Sequence, residues 1–542
     1  MRIDSFCVVG GGSSGWMTAA ALLRAFPEKD ITIIEPKDRN IIGVGESTLG
    51  HINRFFRFLG LSDREWMPYC SATYKSSIAF QNFRDGEGER FQYPFGRIDH
   101  SDYRSDYMTF FELRARFPQH YPPEEFARFF NPNTIMAEEN RITSDYVCNE
   151  HPSWRFSEDT AYHMDSEKFG EYLDKEYCKD AITRVYGTVS GGVKTPDGRL
   201  ASVIVDDGTG AAQVVKADLF IDCTGFKSVV LEGIMGSEFV SFNDVLFNDT
   251  AFAARVDYTD RENQMDLYTD CVGLSSGWVW NIPLWDRVGT GYVFSKKYID
   301  PDIAYEEFVE YIAKRYSPKV ADAAQYKLIN IRHGKRKKAW VQNVVGIGLA
   351  YGFLEPLEST GLMTTHENIL YLIDTLMRRN QVTRIDVDSY NYTVDNAIES
   401  MKNFITMHYV LTGRDDTKYW RDCANVDFAG KNDLFQIKED PLTWHSMLQS
   451  RLEYYQLFDG LRKNFWSEDK FAGLIYIAAG QDFSPINEFN VYEAHHLYPV
   501  RKSTINDYHK QWQEDRKAIY NAVRQLPTHY EYLRDYIYVE KD

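Results

Sequence analysis

Apolar positions along the chain repeat with two periods. Short runs such as Phe6, Cys7, Val8, Val9 and then Ile31, Thr32, Ile33, Ile34 are continuous and bounded by turn residues, as in strands buried on both faces. Between them Trp16, Ala20, Leu23 and Phe26 recur at helical spacing, which predicts a strand–helix–strand unit over 6–35. Strand patterning returns over 182–220, with turns at Pro196-Asp197-Gly198 and Asp206-Asp207-Gly208. Trp278-Val279-Trp280-Asn281-Ile282-Pro283 alternates, so both indoles face one side. An apolar run over 344–350 leads through Glu355-Pro356-Leu357-Glu358-Ser359-Thr360-Gly361 into a helix carrying Leu362, Met363, Ile369, Leu370, Ile373 and Leu376. Beyond about 380 the pattern is helical: Ile398, Met401, Phe404, Ile405, His408 and Leu411 share one face, and 448–465 and 504–524 are further helices. Residues 84–160, aromatic-rich with scattered charges and prolines, read as long substrate-covering loops and short helices rather than sheet. The expected fold is α/β over 1–380 with a mostly helical part over 381–542.

The 542 residues are ample for more than one core. A formal charge of −18 argues against nucleic acid or an anionic membrane as main partner. The basic run Lys335-Arg336-Lys337-Lys338 reads as a solvated turn. Seven scattered cysteines, without metal-ligand spacing, fit free thiols in a reducing compartment. The first apolar run is too short for a signal peptide and no stretch approaches membrane-spanning length. The expectation is a cytoplasmic protein, its oligomeric state open.

The turn after the first strand reads Gly10-Gly11-Gly12-Ser13-Ser14-Gly15, and Glu35 ends the second strand. In such a unit Gly10 makes the tight turn, Gly12 admits a pyrophosphate and Gly15 lets helix and strand pack. The phosphates rest on the helix N-terminus, and Glu35 accepts from a ribose hydroxyl. A second loop, Gly43-Val44-Gly45-Glu46-Ser47-Thr48, opens another helix; it suits a flavin and equally an ordinary cap by Ser47. The strand around Lys75 would point that lysine to water. Taken alone, the turn at Glu358 reads as a helix capped by Ser359 or Thr360.

Taken together these motifs resemble the flavin-dependent halogenases of the tryptophan halogenase family. The resemblance runs from Gly10 to about Trp420 and includes Tyr74-Lys75-Ser76, Ala161-Tyr162-His163-Met164-Asp165, Asp222-Cys223-Thr224-Gly225, the tryptophan pair and the 355–361 turn. It implies FAD, used as FADH2 with O2 and a halide ion, in a Rossmann-like fold of the flavin monooxygenase type. Hypohalous acid formed at the flavin would cross a tunnel to Lys75, where an electron-rich aromatic is halogenated. Glu358, with Ser359 beside it, matches the family's glutamate beside the substrate, a carboxylate that accepts the ring proton; Thr360 and Gly361 match the halide site; Trp278 and Trp280 would fence the flavin from substrate. Ser13, Ser14, Gly45, Glu46, Ser47, Asp222, Leu349 and Leu362 join the glycines and Glu35 at the cofactor. The resemblance leans toward viral or environmental members accepting indoles and phenols, with chloride, bromide or iodide. Leu49-Gly50-His51 stands where a proline is expected, and Tyr454-Tyr455 gives no firm clamp for free tryptophan. A single dinucleotide fingerprint implies a separate NAD(P)H-dependent flavin reductase as partner. A flavin-dependent aromatic hydroxylase is the alternative.

Overall fold

The computed structural model describes residues 2–37, 45–96, 107–144, 156–210, 212–378, 381–428, 472–483 and 499–539. The expected helix over 448–465, Tyr454, Tyr455, Cys148 and the first two positions of the second glycine loop lie outside them.

The strand–helix–strand unit forms as its periodicity predicts: β1 (Ser5–Val9), α1 (Ser13–Ala25) and β2 (Asp30–Glu35). In a six-stranded sheet, β1 lies between β2 and a strand over Leu219–Asp222, both parallel to it; Val344–Gly346 adds a further parallel strand. Phe6 and Val8 join the main core with Trp16, while Cys7 and Val9 pack on a second core with Val203 and Val205. Two buried faces explain why these strands are continuous apolar runs rather than alternating ones. The second core is shared with the three-stranded sheet of the 188–215 hairpins.

A seven-stranded sheet, antiparallel except for one parallel pair, holds Tyr268–Gly273, Gly277–Pro283 and Val288–Phe294. A small three-stranded sheet, joined to the seven-stranded one through Ser47 and His163 on Thr269, positions the candidate site. Its strands are β3 (Glu46–Ser47), β4 (Thr73–Lys75) and β5 (Ala161–Met164), with β5 in the centre. Register sets Ser47 and Thr73 on either side of His163, and Lys75 opposite Ala161. Immediately after Lys75 the chain passes into the large sheet through Ser77–Gln81.

Three expectations are corrected. The 84–160 insertion is not free of sheet: Arg90–Pro94 pairs with Ser77–Gln81. Its helices dock on the helix Pro499–Val523, where Trp512 Nε1 donates to Glu125 at 3.1 Å and Arg116 to Asn506 at 2.7 Å. The basic run is not wholly solvated. Lys335 and Arg336 are buried, held by Glu399 at 2.7 Å and Glu232 at 2.6 Å, while Lys337 and Lys338 are exposed. Lys75 does not point to water; it is fully buried. The helical stretch after 380 begins as a long helix, Arg384–Val410. The six described cysteines are free and buried.

Asp270, buried in the large sheet, accepts from Arg90 at 2.8 Å and Arg315 at 2.6 Å. Despite desolvation, these guanidiniums hold its carboxyl below the usual range. Removing one side of such a buried cluster strands the other. Asp270→Asn should therefore destabilise the protein by about 3 kcal/mol at neutral pH, read by chemical denaturation. A loss indistinguishable from zero would contradict this account.

Candidate active site

Three buried groups meet at the turn before α2 (Thr360–Met377). The Lys75 ammonium donates to Ser359 Oγ at 2.8 Å and to the Thr48 carbonyl at 2.9 Å, and lies 5.0 Å from the centre of the Phe95 ring. Ser359 occupies the N-cap position of α2, yet its side chain caps nothing. Its backbone is left-handed, with φ 56°, a conformation that costs a non-glycine residue about 1–2 kcal/mol. This corrects the capping expectation for Ser359. The hydroxyl turns instead between Lys75 and Ser47, donating to Ser47 Oγ at 2.9 Å. Thr360 Oγ1 returns to the Glu355 carbonyl at 3.1 Å.

Glu358, on the same turn, is fully buried. Its Oε1 lies 2.7 Å from His408 Nε2, and His408 Nδ1 lies 2.8 Å from the Phe404 carbonyl. A carbonyl only accepts, so Nδ1 carries a hydrogen. One proton then lies between Nε2 and Oε1. Glu355, three residues earlier, accepts at Oε2 from Asn248 at 2.7 Å and from the Trp278 indole at 3.3 Å, while burial raises its carboxyl. Trp278 and Trp280 lie on one face, 6.2 Å apart and edge to face. The turn therefore ties the tryptophan strand, the lysine strand and the long helix together.

The first glycine turn has the shape that a bound FAD pyrophosphate requires. Gly10 has φ +112°, and a Cβ there would sit 2.4 Å from the Cys223 carbonyl. A Cβ on Gly15 would reach 1.8 Å from the Gly10 carbonyl, so helix and strand do pack closely. A Cβ on Gly12 would meet nothing within 4 Å. Gly12 leaves the N-terminus of α1 without a side-chain cap. That open, donor-rich end fits a pyrophosphate. Glu35 is buried at the end of β2, its Oε2 accepting from Trp16 Nε1 at 3.3 Å. The turn carrying Leu349 packs on this end, with Ser14 Cβ 3.1 Å from a Cβ built on Gly348. Leu362 lies buried in the first turn of α2. Asp222 contributes through the turn it builds: its carboxylate accepts from Thr224 N and Oγ1 and from the Val230 and Leu231 amides. Ser13, Ser14, Gly15, Glu35 and Leu349 thus gather at one end of the sheet. Lys75, Glu358 and Ser359 gather at the turn, with Ser47 touching Ser359.

A family model described as tryptophan halogenase matches residues 5–488. The chain belongs to the tryptophan halogenase family. Tryptophan 6-halogenase SttH of Streptomyces toxytricini is 33% identical over 446 residues, covering 77% of this chain and 80% of that protein. Tryptophan 7-halogenase KtzQ of Kutzneria sp. (strain 744) is 30% identical over 566 residues, 98% of each. Among solved structures, apo VirX1 superposes with a TM-score of 0.87 at 42% identity, covering 99% of this chain and 100% of that one.

Some contributors in this family member escaped the sequence reading. His408 showed only as a lone histidine on an apolar helical stripe. Asn248 carried no signal at all. Glu46 lies near the N-terminus of α2, its Oε2 3.8 Å from a Cβ built on Gly361. Desolvation, then the neighbouring Asp165 charge, raises its carboxyl to about 7. A carboxyl raised on folding favours the protonated state. Stability is therefore lost as pH rises from the ordinary carboxylate range through about 7. Glu46→Gln should flatten that decline in thermal unfolding followed between the two limits; a decline as steep as in the parent would contradict the assignment.

Proposed function

We propose that this chain is a flavin-dependent halogenase that halogenates an electron-rich aromatic of indole or phenol type. The observation that carries the reading is the burial of Lys75 and Glu358 on either side of one strained residue, Ser359. Bound FADH2 with O2 would supply the oxidising equivalents that convert a halide ion into hypohalous acid. Gly10, Gly12, Ser13, Ser14, Gly15, Glu35, Gly45, Glu46, Ser47, Asp222, Leu349 and Leu362 would hold the cofactor. Thr360 and the Gly361 amide, at the N-terminus of an 18-residue helix, would hold the halide.

The chemistry assigned to the chain's own side chains is proton placement. Lys75 donates to the oxygen of hypohalous acid, so that oxygen departs toward water as the halogen bonds to the ring carbon. Glu358 takes the ring proton released when aromaticity returns. Across that step a C–H, an O–halogen and a lysine N–H bond break, while a C–halogen, a water O–H and a Glu358 O–H bond form. The Trp278 indole, anchored through Glu355, and the neighbouring Trp280 indole exclude the organic substrate and water from the cofactor side.

The discriminating experiment supplies a flavin reductase, FAD, NADPH and O2, varies chloride, bromide and iodide, and offers indoles, phenols and free tryptophan, with products read by mass spectrometry. A halogenated product is expected with at least one halide. Lys75→Ala should lower its formation by about a thousandfold. A hydroxylated product that persists in Lys75→Ala would transfer the assignment to an aromatic hydroxylase. The reductase is proposed to be a separate protein. Purified chain, FAD and NADPH without reductase should leave NADPH absorbance unchanged; rapid oxidation would contradict a two-component system.

A further inference from the structure

A line of five polar groups runs inward from Lys75. Ser359 Oγ accepts from the lysine and lies 2.9 Å from Ser47 Oγ. Ser47 Oγ lies 2.6 Å from Thr269 Oγ1, and Thr269 Oγ1 lies 2.9 Å from His163 Nε2. The other ring nitrogen, Nδ1, is 3.3 Å from Thr73 Oγ1, which itself lies 2.6 Å from the Pro283 carbonyl. Lys75, Ser359, Ser47, Thr269 and His163 are all buried.

Each hydroxyl has one hydrogen, so the direction of the line follows from either end. At the inner end Thr73 spends its hydrogen on the Pro283 carbonyl. Toward His163 it only accepts, so Nδ1 carries the ring hydrogen. Burial, then the Lys75 charge, then His529, lowers the imidazole well below its ordinary value, leaving it neutral. Nε2 is therefore an acceptor, Thr269 donates to it, and Ser47 donates to Thr269. At the outer end Ser359 donates to Ser47, which leaves the Ser359 lone pairs for the ammonium. Both ends give one direction, with every proton pointing from Lys75 toward Nε2 of His163.

We infer that His163 is a positioning residue for Lys75, acting through Thr269, Ser47 and Ser359: its Nδ1–H tautomer fixes the hydroxyls so that Ser359 presents a lone pair to the ammonium. The inference rests on the proposed role of Lys75. A reversed hydroxyl would face a hydrogen toward the ammonium, and the left-handed Ser359 would lose the contact that compensates its strain.

The first test does not use turnover. In protein labelled with nitrogen-15 in histidine, and with the His163 signals assigned by their loss in His163→Gln, the expected species is the neutral Nδ1–H imidazole. An Nε2–H tautomer or an imidazolium would overturn the inference. The second test compares Thr269→Val, which keeps the shape without the hydroxyl, with Thr269→Ser, which keeps the hydroxyl. Thr269→Val should lower kcat for halogenation about tenfold and move KM less than about twofold, while Thr269→Ser restores kcat to within about twofold. An unchanged kcat in Thr269→Val, or an equal loss in both variants, would overturn it. Should Thr269→Val fail to fold, the tautomer in the parent protein still decides. A parent protein without any halogenated product would instead contradict the functional proposal, leaving the tautomer result standing.

Discussion

The structure turns on one constraint: an ammonium group buried beside a serine hydroxyl. A charge removed from water is tolerated only where donors and acceptors replace its hydration. Lys75 meets this with a backbone carbonyl, an aromatic face and Ser359 Oγ. Ser359 meets it by adopting a left-handed backbone. The surrounding packing holds that conformation, because the small sheet fixes Ser47 and Lys75 while the tryptophan strand fixes Glu355. Polar satisfaction at Lys75 thus dictates the geometry of the 355–361 turn.

That turn joins two environments. On one side stand the glycine turn and the uncapped end of α1, which fit an anionic dinucleotide. On the other stand Glu358 and His408, which hold a single proton between them at the inner face of Arg384–Val410. In the proposed division of labour, neighbouring residues of this one short segment serve opposite sides. Membership of the tryptophan halogenase family places this arrangement among enzymes, and the proposed division of labour between Lys75 and Glu358 follows from where the charges lie.

Much of this was legible in sequence where the signal is local. The glycine spacing, the strand-ending Glu35 and the continuous apolar runs identify the first unit because turn chemistry and burial on both faces leave direct marks. The paired indoles were readable from alternation. Nonlocal pairing was not readable. Nothing in Thr73-Tyr74-Lys75 says that its partner strand lies some ninety residues later, so the lysine appeared solvated. Lys335 and Arg336 looked like a turn because their acidic partners Glu399 and Glu232 are distant in the chain. The strand Arg90–Pro94 was hidden among aromatics and prolines. His408 marked a helical stripe, and its pairing with Glu358 needs the crossing of two helices that no single-chain pattern specifies.

The measurement that bears most directly on the central claim separates the two sides of the turn in one variant. In Glu358→Gln, supplied with reductase, FAD, NADPH, O2 and bromide, hypobromous acid is trapped by a diffusible scavenger while bromination of the aromatic substrate is followed in parallel. The account predicts scavenger bromination close to that of the parent protein and substrate bromination lowered about a hundredfold. Loss of both together would contradict the division between the cofactor side and the substrate side.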